Sequence, residues 1–196
     1  MLLRIHTALR RRLALLSEAR ANARLSRHLR RAGCQVESNC RFFGTHLPLL
    51  NIAGTARFGR NVSLQGTAYP IELQVARGAT FTICSGSILN QGATIAVTTE
   101  VFIGPDCGFG EHVAIHDTSF HDIAPDRPKR SAPVRFGRNV WLGHRAIVLP
   151  GVEIGDHSVV GAGAVVTKSL PARCIAVGVP ARVVGTFECP DNWKRF

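Results

Sequence analysis

Six sizeable apolar residues recur at an interval of six near the end of the chain: Phe136, Leu142, Val148, Ile154, Val160 and Val166. Two places before each next member stand Val140, Ala146, Val152, Ser158, Ala164 and Leu170, mostly small or β-branched. Glycine directly follows four of the six, as Gly137, Gly143, Gly155 and Gly161. An amphipathic helix cannot keep this phase, because its faces recur about every 3.6 residues. Six residues of strand span about 20 Å, so the period suits one flat side of a prism with a turn at each corner. Three sides close a coil of about 18 residues, and coils about 4.8 Å apart bond through parallel backbone ladders. That stacking places Phe136 under Ile154, Leu142 under Val160 and Val148 under Val166. The apolar member fills the axis, the small member fits the turn, and glycine relieves the corner backbone.

The pattern also occurs upstream. Phe58 and Leu64 are six apart with Val62 between them; Ile83, Leu89 and Ile95 follow with Ser87 and Ala93; then come Ile103, Phe109 and Ile115 with Cys107 and Val113. The register slips by two between Ile95 and Ile103, which predicts a corner bulge. It breaks between Ile115 and Phe136, which predicts an excursion loop. Residues from about 57 to 185, less the loop, hold about six coils. The run Val165–Pro171 is expected to end the prism, since Pro171 cannot donate to a ladder and suits an edge. The predicted organisation is an N-terminal helix over 1–33, a β-helix over 34–185 with its loop at 116–133, and a tail at 186–196 carrying Trp193.

Charge separates the first segment from the rest. The formal net charge is +11, yet residues 1–31 hold nine arginines against Glu18 alone. The body is therefore close to neutral, and a nucleic-acid-binding body is not implied. Arginines interrupt every apolar run near the N-terminus, so no signal-peptide core is expected. Residues 78–99 lack charge but are too rich in Thr, Ser, Asn and Gln for a membrane span. Residues 2–31 lack Gly and Pro, favour helix, and place Ile5, Leu9, Leu13 and Leu16 in a stripe resumed by Leu25 and Leu29. Such a basic amphipathic helix can pack on the prism end or on a neighbouring subunit, or lie on an anionic membrane surface. The six cysteines form no C-x-x-C pair and match no zinc spacing, so they read as reduced, mostly buried thiols of a cytoplasmic protein.

A prism has no cleft of its own, so polar residues at the break in the repeat mark the place for chemistry. The loop begins Ile115-His116-Asp117-Thr118-Ser119-Phe120-His121-Asp122. His116 and His121 are its two candidates for a base near neutral pH.

The hexads, together with Val140-Trp141-Leu142-Gly143, Gly161-Ala162-Gly163, Val165-Val166-Thr167-Lys168 and Gly178-Val179-Pro180-Ala181-Arg182, resemble the hexapeptide-repeat acyltransferases. Within that family the resemblance is to the maltose/galactoside and exopolysaccharide O-acetyltransferases, over roughly residues 57–185. It implies a left-handed parallel β-helix, a homotrimer with active sites between subunits, and acetyl-CoA as cosubstrate with no metal. It implies direct transfer of an acetyl group, in a ternary complex, to a hydroxyl of a sugar or glycan, as in polysaccharide biosynthesis. His121 falls on the family's base position, with His116 as fallback; Ser119 stands where the family has a second Asp. The backbone N–H of His144, where a small residue is commoner, would meet the oxyanion. Asn90 would face the acceptor, and Thr98 stands where some relatives bind it through Asp. Trp141 would flank the thioester, Ala162 and Thr167 would contact pantetheine, and Lys168 and Arg182 would meet the CoA phosphates.

Alternatives on the same scaffold are a non-catalytic assembly module, for which the basic helix is the functional part, and a metal hydratase like the γ-class carbonic anhydrases. His116 and His121 have the spacing of two of that family's ligands, but no third histidine lies between His46 and His112. The helical-domain Asp–His arrangement of serine acetyltransferases has no counterpart. The helix hints at the inner face of a membrane and a lipid-linked or surface glycan.

Overall fold

Alternation of inward and outward side chains winds residues 35–177 into a three-sided parallel β-helix in the computed structural model, which describes residues 2–195 and side chains from residue 14 onward. The first face carries Gln35–Val36, Thr55–Phe58, Thr80–Ile83, Glu100–Ile103, Val134–Phe136 and Glu153–Ile154. The second face runs from Arg41–Gly44 through Ser63–Gly66, Ile88–Leu89, Gly108–Phe109, Trp141–Leu142 and Val159–Val160 to Cys174–Val177. The third face carries Leu49–Ile52, Glu72–Val75, Thr94–Val97, Ala114–His116, Ile147–Val148 and Val165–Val166. The architecture is that of the left-handed parallel β-helix, about six turns long. Phe136 pairs with Ile154, Leu142 with Val160 and Val148 with Val166. All six lie on the axis, none more than 2 % exposed. Full burial stabilises each by about 1.5–3 kcal/mol.

Four expectations need correction. The β-helix starts at Gln35, not near 57. Its coils are not uniformly 18 residues: Phe58 pairs with Ile83, Ile83 with Ile103 and Phe136 with Ile154, separations of 25, 20 and 18 residues. The slip between Ile95 and Ile103 is no bulge. Four-residue strands on the third and first faces each bury two side chains, such as Ile95 with Val97 and Val101 with Ile103. Adding residues in pairs preserves the inward–outward alternation, so the prism widens without inverting. Nor does the prism end at Pro171. Cys174–Val177 adds to the second face, and Arg182–Thr186 pairs back on it antiparallel.

The glycine rationale also changes. Gly137, Gly143 and Gly155 do not have positive φ; a Cβ on Gly143 would lie 2.6 Å from the Ala162 nitrogen of the next coil. These glycines permit close stacking. The left-handed corner position is filled instead by Asn61, Asp106, Asn139, Arg145 and His157, or by Gly92 and Gly163. Asn and Asp tolerate that region better than other side chains.

The helix α1 spans Leu2–Arg31. Its end caps the first coil: Leu25 and Leu29 are fully buried, Asn22 Oδ1 accepts from Phe42 N at 2.8 Å, and Arg30 donates to Val36 O. Leu15 and Leu16 are instead exposed. Leu16 and Leu25 are nine residues apart, about half a turn out of phase at 100° per residue. The stripe therefore does not resume on the same face. Ile5, Leu9 and Leu13, its other members, lie outside the described side chains. Among the described residues no helix is long and apolar enough to cross a membrane.

Candidate active site

The excursion leaves the corner between the third and first faces, after His116. Asp117 anchors it from a fully buried position. Its Oδ1 accepts from Thr98 N and Oγ1 at 2.7 and 2.9 Å, and its Oδ2 from Thr99 N and Oγ1 at 2.6 and 2.8 Å. Four donors replace the water such a carboxylate gives up on burial. The corner of the preceding coil and the base of the loop are thereby one unit. Beyond Asp117 the loop doubles back. Ser119 N donates to Arg130 O, Arg130 N donates to Ser119 Oγ, and Ser131 Oγ donates to Thr118 Oγ1.

His121 sits past this clasp, exposed, with its backbone N–H donating to Ser119 O at 2.7 Å. Its imidazole makes no hydrogen bond among the described residues. Ser119 uses its hydroxyl on the backbone, donating to His121 O at 3.2 Å, and does not touch the ring. His116 is half-buried on the third face, with its ring set edge-on to Phe120 at 5.4 Å between centroids. Burial lowers its pKa from the ordinary 6.5, opposed by the neighbouring Asp117 carboxylate.

Asn90, His144 and Ala162 occupy a different corner, between the second and third faces, one coil above another. Asn90 Nδ2 donates to Phe109 O at 2.7 Å, which leaves its Oδ1 without a partner among the described residues. The backbone N–H groups of His144 and Ala162 likewise meet no acceptor there. Glycine explains their accessibility: a Cβ on Gly110 would lie 2.7 Å from His144 N, and one on Gly143 would lie 2.6 Å from Ala162 N. Two exposed residues thus present uncovered donors in register on successive coils, a suitable arrangement for a developing oxyanion and an acyl-chain amide.

Trp141 is exposed on the second face, with the Arg195 guanidinium 5.8 Å from its ring centroid. Arg195 belongs to the tail, which crosses the first–second corner with Trp193 stacked on His157 and Lys194 Nζ 2.8 Å from Asp106 Oδ1. Thr167, Lys168 and Arg182 are exposed near the far end of the prism, and neither cation forms an ion pair among the described residues. Within one chain the loop corner and the amide corner are separated by a whole face, up to about 20 Å.

Sequence reasoning missed three contributors. Glu111 lies 3.7 Å from His144 Nδ1, and the His144 ring meets His112 edge-on. Asn51 and Gln74 point outward beneath the loop, in register with Ala96 and His116. Their stagger of 23 residues is no multiple of six, so the hexad count could not align them. No three His, Cys, Asp or Glu side chains converge to hold a metal ion among the described residues.

A family model described as bacterial transferase hexapeptide (six repeats) matches residues 133–168. A galactoside O-acetyltransferase of Lactococcus lactis is 44 % identical over 120 residues, covering 57 % of this chain and 58 % of that protein. A galactoside O-acetyltransferase of Escherichia coli is 36 % identical over 110 residues, covering 55 % and 54 %. The chain thus spans somewhat over half the length of these curated relatives. Among solved structures, a variant of the N-acyltransferase AntD from Bacillus cereus, in complex with dTDP and coenzyme A, superposes with a TM-score of 0.65 at 20 % identity. That match covers 83 % of this chain and 89 % of the other, and the likeness is one of fold.

Proposed function

We propose that this chain, a hexapeptide-repeat protein by its sequence and its fold, is an acetyl-CoA-dependent O-acetyltransferase that modifies a hydroxyl of a sugar or glycan. The observation that carries the reading is the pair of uncovered, stacked amides at His144 and Ala162. Acyl transfer needs such donors where negative charge develops on the carbonyl oxygen. The galactoside O-acetyltransferase relatives support the acceptor class.

In this reading His121 is the general base. Its imidazole removes the proton of the acceptor hydroxyl as the oxygen attacks the thioester carbonyl, which contributes about 10²–10⁴-fold. The His144 N–H stabilises the oxyanion. Collapse breaks the C–S bond, and the imidazolium returns its proton to the departing thiolate, so no acyl-enzyme forms. Asn90 Oδ1 orients the acceptor, Trp141 flanks the thioester, Ala162 and Thr167 hold the pantetheine arm, and Lys168 and Arg182 meet the phosphates. Because the loop corner and the amide corner lie a face apart, the site is completed by a neighbouring subunit of a homotrimer. Exposed Leu15 and Leu16 on a strongly basic helix place the enzyme at the inner face of an anionic membrane.

A panel of hydroxyl acceptors with acetyl-CoA, run with wild type and His121→Ala, tests the reading. The variant should lose at least about 100-fold in kcat. Equal turnover by both proteins would remove His121 from its role. Unchanged acetyl-CoA binding by the Lys168→Glu, Arg182→Glu double variant would remove the phosphate assignment.

A further inference from the structure

Below the excursion loop, a cavity of about 180 Å³ opens on the third face, lined by Asn51, Gln74, Ala96, Thr98 and Phe120 among others. Four outward positions stack in register across successive coils: Asn51, Gln74, Ala96 and His116. At about 4.8 Å per coil the row is about 14 Å long, longer than one sugar ring. No ionisable side chain lines the cavity itself. Two primary amides, each both donor and acceptor, face outward along the row. The Thr98 hydroxyl proton is committed to Asp117, so its oxygen is left to accept. Phe120, 48 % exposed, overhangs one end of the row and is held edge-on against His116. Next to it in sequence is His121.

A groove of neutral amides closed by an exposed aromatic ring matches one ligand chemistry, an uncharged polyhydroxylated chain. Hydroxyls exchange hydrogen bonds with the amides, and the apolar face of a ring packs on Phe120. A carboxylated or amino sugar would leave its charge uncompensated there. We propose that this groove is a subsite for the distal rings of a neutral oligosaccharide, holding the chain while its terminal hydroxyl reaches His121. The proposal rests on the acetyltransferase reading for its orientation, but the binding it describes is independent of catalysis.

The test is calorimetric titration of the full-length protein, without acetyl-CoA, with methyl glucoside, methyl maltoside, methyl maltotrioside and a glucuronate-containing disaccharide. Affinity should rise at least about tenfold from the mono- to the trisaccharide, and the acidic disaccharide should bind more weakly than methyl maltoside. Asn51→Ala and Gln74→Ala should each lower trisaccharide affinity about three- to tenfold, the cost of one neutral hydrogen bond. Phe120→Ala should lower it further, and thermal melts confirm that each variant is folded. Affinity independent of chain length, or equal trisaccharide binding by wild type and all three variants, would overturn the subsite. Chain-length-dependent binding without acetyl transfer to any of these glycosides would retain the subsite and overturn the enzymatic reading instead.

Discussion

Gly143 shows how one atom couples packing to chemistry. A Cβ there would press on the Ala162 nitrogen, which belongs to backbone and cannot rotate away. Gly143→Ala should therefore cost about 1–3 kcal/mol in urea melts. In the acetyltransferase reading it should also lower kcat, because the displaced strand carries the His144 amide. Gly163 provides the contrast, with φ +69 and open space around it. Gly163→Ala should cost only the left-handed strain, about 1–2 kcal/mol. His116 behaves differently. Its pKa in the fold lies below 6.5 because burial disfavours the imidazolium. Below pH 6.5 the unfolded chain takes up the proton first, so stability is held above that pH and lost as pH falls through the folded value. Thermal melts from pH 7.5 to 5 should show a declining Tm, and His116→Phe should flatten that slope. Buried thiols stay inert by the same physics: burial pushes Cys34 up to about 11 and Cys107 up to about 12.

At the scale of elements, what was legible in the sequence depended on which interaction sets the period. From Phe136 onward every coil has the same length, so counting in sixes recovers the pairs Phe136–Ile154 and Leu142–Val160. Upstream, paired extra residues such as Val97 and Val101 widen the faces, and alternation alone cannot say how many residues a corner consumes. That is why the starting coils at Gln35 and the Asn51–Gln74 row were not found. The loop was legible as a break, and Asp117 only as part of a motif. Its work of pinning Thr98 and Thr99 needs the neighbouring coil in place. The helix misled because its apolar residues serve two purposes. Leu25 seals the prism, so Leu25→Ala should cost about 2–5 kcal/mol. Leu16→Ala should stay within about 0.5 kcal/mol of wild type, as expected for an exposed site. Membrane binding should reverse that order. Sedimentation with phosphatidylglycerol vesicles should weaken about tenfold or more for Leu15→Ser with Leu16→Ser, and should fall as salt rises. Equal sedimentation with neutral phosphatidylcholine vesicles would argue against an anionic surface.

For the whole molecule, the decisive fact is that a triangular prism exposes its chemistry on corners that face apart. The His121 loop leaves one corner, and the His144 and Ala162 amides project from another across the third face. A single chain cannot close both on one thioester without a large movement of the loop, whose base is tied by Asp117 and by the Ser119–Arg130 clasp. A threefold ring solves this without deformation, because a heterologous interface sets a different corner of the neighbour beside the loop at every junction. The exposed apolar residues of the last coils, Trp141, Ile175, Val177 and Val183, are what such a junction would cover. This arrangement predicts complementation between two inactive proteins. His121→Ala removes the base, and Ala162→Asp sets an anion on an exposed corner residue where the acyl chain should lie. Each homo-oligomer should be inactive. Co-refolded at equal concentration, they form mixed rings in which a site works only where an intact loop meets an intact amide corner, so about a quarter of wild-type activity should return. The recovered activity should disappear when the two proteins are refolded separately and then mixed without subunit exchange. Failure to recover activity in co-refolded rings of confirmed mixed composition would place both groups in one subunit, and the loop would then have to fold across the third face to reach the amides.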